Sequence, residues 1–137
     1  MKIPLSIILS IFLCCVPSLA GACGKPVYGP KLSGYQNTAL ELTEFADIDA
    51  ISRFYGFYGN QDEGVKRSIE SAKDPSGKFS VIMTLTDDNV LDDSLSARQW
   101  QLGVDQTGDK WIVKTVGERW KCRRGKDVAK WTTKLCL

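Results

Sequence analysis

Histidine is absent from all 137 residues. That absence removes Ser-His-Asp and Cys-His catalysis, His-ligated zinc or haem, and any imidazole pH switch. Also missing are a Gly-rich phosphate loop, a Cys-x-x-Cys pair and a nucleophile elbow. No cofactor, metal ligand or catalytic residue is therefore assigned. Charge of one sign is scarce too: 18 Lys plus Arg against 16 Asp plus Glu leave a net charge of +2. Such a balance makes no general case for nucleic acid. What is present, 43% hydrophobic and 25% charged residues, is the composition of a globular chain. The length suits a single domain.

The long apolar run lies at the N-terminus. Lys2 precedes the stretch from Ile3 to Val16, and small residues follow at Ser18, Ala20, Gly21 and Ala22. Charge, apolar run and small-residue cleavage site, in that order, make residues 1–22 a secretory signal. The run falls short of the ~20 residues a membrane-spanning helix needs. Cleavage after Ala20 leaves Gly21 first, and cleavage after Ala22 leaves Cys23 first. The second option resembles a bacterial lipoprotein signal, with Cys23 as the acylation candidate, although Leu19 stands one residue too far upstream. The protein is then exported: to the periplasm or cell envelope in a bacterium, otherwise secreted.

Of five cysteines, Cys14 and Cys15 leave with the signal. Three remain, and an oxidising compartment favours pairs. Cys122 and Cys136 would close a short loop, worth about 3 kcal/mol from loop-closure entropy. Cys23 is left over: acylated, joined to another chain, or free.

Residues 23–37 hold two prolines and three glycines, the composition of an extended lead-in or tether. The domain proper runs over 38–137. Thr38 and Glu41 form a capping box, and Leu42, Phe45, Ile48, Ile51 and Tyr55 recur at helical spacing. Asp47 is placed to restart or bend that helix, and Gly56 and Gly59 to end it. A second, shorter helix is predicted over Asp62 to Lys73, with Val65, Ile69 and Ala72 as its stripe. Asp74-Pro75-Ser76-Gly77 stops it.

The period then changes to two. Phe79, Val81, Met83 and Leu85 mark one strand, and Trp100, Leu102 and Val104 a second. Asp105 to Asp109 is a connection of hairpin length. Trp111 to Cys122 is a third, long strand with Ile112, Val116, Trp120 and Cys122 on one face. Trp111 and Trp120 point to opposite faces if that strand has no bulge. The predicted fold is α+β: N-terminal helices packed on a curved antiparallel meander, with a disulfide-tied C-terminal loop.

Three groups of side chains invite a chemical reading. The acidic segment Thr86 to Ser94 is oxygen-rich, but registers from Asp87 and Asp88 both lack the Gly and Glu of an EF-hand loop. A solvated acidic loop accounts for it. The aromatics Phe54 to Tyr58 and Trp100, Trp111, Trp120 and Trp131 either fill the core or line a ligand pocket. Charge, finally, is segregated. Residues 38–109 carry 14 acids and six bases, and residues 110–137 nine bases and two acids. Arg119, Lys121, Arg123, Arg124 and Lys126, with Trp131 among them, either neutralise the acidic half, face water, or form a partner surface.

A helix ending in Arg53-Phe54-Tyr55, then strands, then Asp109-Lys110-Trp111-Ile112-Val113 resembles the nuclear-transport-factor-2-like (NTF2-like) and cystatin-like group over residues 40–121. That resemblance implies helices on a curved sheet and a cone-shaped pocket. Two functional expectations follow. One is an exported, non-enzymatic domain that binds an acidic protein or the envelope surface, with membrane attachment only through a lipid on Cys23 and no nucleic acid. The other is a small-molecule pocket protein or enzyme of the NTF2-like kind, built on Tyr55, Tyr58, Trp100 and an Asp within 87–93.

Overall fold

The computed structural model describes residues 25–41, 43–56 and 64–136. The expected secretory signal of residues 1–22, Cys23, Leu42, Tyr58 and the start of the predicted second helix lie outside them. The chain is mostly β: six antiparallel strands form one sheet, with a single short helix among the described residues. This corrects the α+β expectation of N-terminal helices packed on a sheet. The elements are β1 (Gln36–Thr38), β2 (Glu44–Phe45), α1 (Ile48–Gly56), β3 (Lys66–Lys73), β4 (Val81–Asp88), β5 (Leu95–Thr107) and β6 (Lys110–Cys122). Strands β3 to β6 are successive neighbours, and β1 and β2 both pair with the free side of β6.

Each departure from the predicted elements has a local cause. Thr38 does not cap a helix, because it is paired with Val116 of β6. The helix begins at Asp47 instead, whose carboxylate accepts the Ala50 N–H at 2.6 Å. Residues 66–73 form a strand because β4 offers a complete partner, from Lys66 opposite Asp88 to Lys73 opposite Val81. As an edge strand, β3 has little need of apolar residues, so its sparse stripe imitated a helix. Arg67 locks the register: Nε and Nη2 donate to the two oxygens of Asp87 at 2.6 and 2.7 Å.

The long hairpin formed as expected, tightened to a turn at Gly108-Asp109 with Gly108 at φ 63°. Its register shifts twice, between Leu95 and Ala97 and again where Gly103 faces Thr115 and Val104 faces Val113. The extra residue at the second shift, Lys114, is a bulge, and it flips the alternation of β6 beyond it. Trp111 and Trp120 consequently share a face, correcting their expected opposition.

That face carries the main core. Ile51 of α1 and Phe45 of β2 pack on Met83, Leu85, Leu102, Val104, Val113 and Val116. Phe54 meets Phe45 and Tyr55 edge-on, with centroids 5.3 and 5.0 Å apart. The opposite face has a smaller cluster of Leu32, Tyr35 and Phe79. The lead-in thus packs on the sheet, and two glycines make room for it and its neighbour. A Cβ at Gly117 would lie 2.6 Å from the Tyr35 Cβ, and one at Gly103 would lie 2.8 Å from the Phe79 ring.

Replacing Gly117 by Ala is therefore expected to lower stability by about 1–3 kcal/mol through overpacking, read by urea unfolding. An unchanged midpoint would mean that Tyr35 does not dock there.

Candidate functional site

The residues that stand out chemically are on the sheet face opposite α1, at the C-terminal end of β6. Gly117, Arg119 and Lys121 alternate along that face. Because Gly117 has no side chain, Tyr35 lies flat against the strand beside Arg119. The Tyr35 hydroxyl donates to Gln99 Oε1 at 2.8 Å, and Arg119 Nε donates to the same oxygen at 2.8 Å. Gln99 Nε2 donates onward to Thr86 Oγ1 at 2.7 Å. The Arg119 guanidinium is 4.4 Å from the Tyr35 ring centroid and 5.1 Å from that of Trp131. Lys121 Nζ lies 4.7 Å from the same indole. Contacts of this kind contribute about 0.5–1 kcal/mol each at exposed sites. Burial pushes the Tyr35 phenol up from its ordinary value, against the opposite pull of the Arg119 charge.

Trp131 reaches this stack because the C-terminal segment is stapled. Cys122 and Cys136 form a disulfide with Cα atoms 5.4 Å apart. Thr132 exchanges two backbone hydrogen bonds with Trp120, at 3.0 and 2.8 Å. The Trp120 indole N–H adds a third, donating to the Lys134 carbonyl at 2.9 Å. The segment extends the row of β2 and β1 along the edge of β6, and the residue before Thr132 is delivered onto the cationic face.

The five predicted basic residues divide. Arg119 and Lys121 join Trp131 in the stack. Arg123 turns away, donating to the carbonyls of Val90 and Asp92 at 2.6 and 3.0 Å, so it clamps the acidic loop. Arg124 and Lys126 are exposed and line a hollow beside the disulfide with Thr132 and Lys134. Of the pocket residues, Tyr55 and Trp100 pack against the main core, and Tyr58 lies outside the described residues. The Tyr55 hydroxyl is buried without a partner among the described residues, and burial, then the Glu41 charge, pushes it up to about 12. Arg98 lies over Trp100 at 5.6 Å and 3.0 Å from Glu118, an ion pair without hydrogen-bond geometry.

Asp87 is committed to Arg67, and Asp92 accepts the N–H groups of Ser94 and Leu95 at 2.7 and 2.9 Å. These backbone bonds hold the Asp92 carboxyl below its ordinary range. No group of three or more metal-ligating side chains forms among the described residues.

Sequence reasoning missed Tyr35, Gln99 and Asp74. Tyr35 was hidden in the lead-in, and Gln99 read as a plain strand residue. Asp74, expected only to stop a helix, is buried and organises the β3–β4 turn. Its carboxylate accepts the Phe79 N–H at 2.8 Å and the Ser76 N–H at 2.9 Å, with the Ser76 hydroxyl at 2.8 Å. Burial alone would raise its pKa, but the bonds from Phe79, Ser76 and Lys78 together lower it.

No family model, curated protein or solved structure matches the chain.

Two outcomes follow. Reduction of Cys122–Cys136 is expected to release Trp131 from Arg119 and Lys121 while the sheet persists. Near-ultraviolet circular dichroism should change while the far-ultraviolet spectrum is retained, and loss of both would refute an independent body. Asp74, with a lowered folded pKa, contributes stability that is intact above its unfolded value of 3.8. That contribution is lost as pH falls through the lower folded value. Asp74→Asn should therefore melt below wild type at pH 7, and the gap should close below about pH 4. A gap independent of pH would mean that the carboxylate charge plays no part.

Proposed function

We propose that this is an exported, non-enzymatic domain that binds an acidic macromolecular partner or the envelope surface. Its binding face is the stack of Arg119, Lys121 and Trp131, with Arg124 and Lys126 beside it. In this reading residues 1–22 are a cleaved secretory signal. The mature chain works in the periplasm or cell envelope of a bacterium, or is secreted from another cell. A disulfide between Cys122 and Cys136 suits such a compartment. It also leaves Cys23 as the unpaired cysteine of the mature chain, open to acylation. Nucleic acid is not part of the proposal.

One observation carries the reading. The segregated charges form no close ion pair with each other among the described residues, and only Arg123 and Arg124 come beside acids of the other half, Asp92 and Asp93. Among the described residues the ion pairs are Arg53–Asp47, Arg67–Asp87, Arg98–Glu118 and Lys130–Asp127. None joins an acid of residues 38–109 to a base of residues 110–137; Arg98–Glu118 runs the other way. Arg119 and Lys121 are held in place by rings and an amide, without a carboxylate. Immobilised cations lacking a counter-ion attract an anionic surface at little further ordering cost.

The test is capture from the envelope fraction or medium of the source cell, with a Lys121→Glu, Lys126→Glu double variant alongside. Wild type should retain an acidic component that salt releases, and the charge-reversed protein should lose it. Equal retention by both proteins would overturn the proposal.

A further inference from the structure

The face that carries the Arg119–Trp131 stack has a second cation–aromatic corner, which the reading above does not use. Phe79 is buried on Gly103, and Lys78 Nζ lies 5.7 Å from its ring centroid. Lys31 and Lys73 line the same hollow, together with Ile82, Gln101 and Asp74, whose carboxylate is taken up by the Phe79 and Ser76 N–H groups. None of these three lysines has an ion-pair partner among the described residues. Along β5 the two corners are marked by Gln99 and Gly103, four residues apart. At strand rise that is about 14 Å.

Between the corners the sheet offers hydroxyls and amides. Thr84 is opposite Gln101 and Thr86 is opposite Gln99, and all four are half-buried. Carboxylates share this face at its margins: Glu70 opposite Thr84 on the edge strand, Asp88 opposite Ala97, and Asp105, which accepts the Ser80 N–H at 2.9 Å. An occupant spanning both corners must carry negative charge at intervals, hydrogen-bonding groups in between, and a flat C–H surface for the rings. An acidic polypeptide brings charge but no dense hydroxyls. A lipid surface would use exposed apolar side chains, and the middle of this face has none. A charged sugar polymer has all three properties. Resting on the cationic-face reading, we propose that the ligand is an acidic polysaccharide strand lying across β5 and β4 from the Trp131 corner to the Phe79 corner.

The experiment is calorimetric titration of the purified, disulfide-intact protein with polygalacturonate and heparin, carboxylated and sulfated probes respectively. Dextran, monomeric galacturonate and polyglutamate are the controls. At least one acidic polysaccharide should bind and weaken with salt, while dextran and the monomer should not bind. Polyglutamate should bind more weakly. Lys121→Ser at one corner and a Lys31→Ser, Lys78→Ser pair at the other should each weaken binding by about three- to tenfold, with unchanged circular dichroism. Polyglutamate binding as tightly as the polysaccharides would overturn the sugar assignment and leave the cationic face standing. Wild-type affinity in the Lys31, Lys78 variant would overturn the two-corner footprint. No binding to any polyanion would overturn both readings.

Discussion

Strand β6 is the member on which the other elements depend. It is 13 residues long and pairs with the equally long β5 on one side. On its other side it takes β2 at Ile112 and Trp111, β1 at Glu118 to Val116, and Thr132 at Trp120. One strand therefore recruits the lead-in, the approach to the helix and the C-terminal segment. Few of these partners could persist alone: β1 has three residues, β2 two, and the tail a single bridge. Each gains order from an edge already fixed by the hairpin, so each loses little further entropy on docking. The Lys114 bulge completes the arrangement. By switching the alternation it puts Val113 and Val116 on the same buried face, and Arg119 and Lys121 on the opposite one.

The two faces of the sheet consequently hold different chemistry. Under α1 the core residues are aliphatic and aromatic, and the one largely buried ion pair among the described residues, Arg67–Asp87, is bidentate and at the margin. On the other face the rings of Tyr35 and Phe79 occupy the space left by Gly117 and Gly103. A ring laid on a glycine is fixed in orientation, and a cation laid on that ring inherits the constraint. Arg119 is in this position, fixed by Tyr35 and by its bond to Gln99, whereas the exposed Lys78 makes only the looser contact with Phe79.

How much of this was legible follows from where the deciding forces act. The strands of the hairpin and β4 carry their own period of two, so their existence could be read. Strand β6 was bounded closely, but β5 runs from Leu95 to Thr107, well beyond the Trp100, Leu102, Val104 alternation at its centre. The first half could not be read that way. The stripe Val65, Ile69, Ala72 is set by the absence of apolar demand on an edge, a tertiary circumstance. The lead-in looked like a tether because nothing in Gly-Pro-Lys-Leu-Ser-Gly-Tyr announces that Gly117 will leave a slot for its tyrosine. Of the site, the disulfide, Arg119, Lys121 and Trp131 were visible as a basic, aromatic, cysteine-bounded stretch. Arg123 belonged to the same stretch by composition and left it by geometry, because the carbonyls of Val90 and Asp92 lie within its reach.

That last contrast shows why charge segregation along a chain does not by itself say what the charges do. The acidic and basic halves could have met as ion pairs, and the sheet brings them close enough: Arg98, Gln99 and Trp100 face Trp120, Arg119 and Glu118 directly. Cross-strand position instead sets Arg119 against a glutamine and Glu118 against an indole. Arg123 directs its donors to carbonyl groups, and from there its charge also acts on the Asp92 carboxyl. Among the described residues no close ion pair joins the bases of the last 28 residues to the acidic half, and the disulfide decides where they are displayed. A cation balanced by a carboxylate is settled by the fold, whereas one balanced only by a ring retains its long-range field. The physical property that folding leaves unspent in this protein is positive charge with a fixed direction.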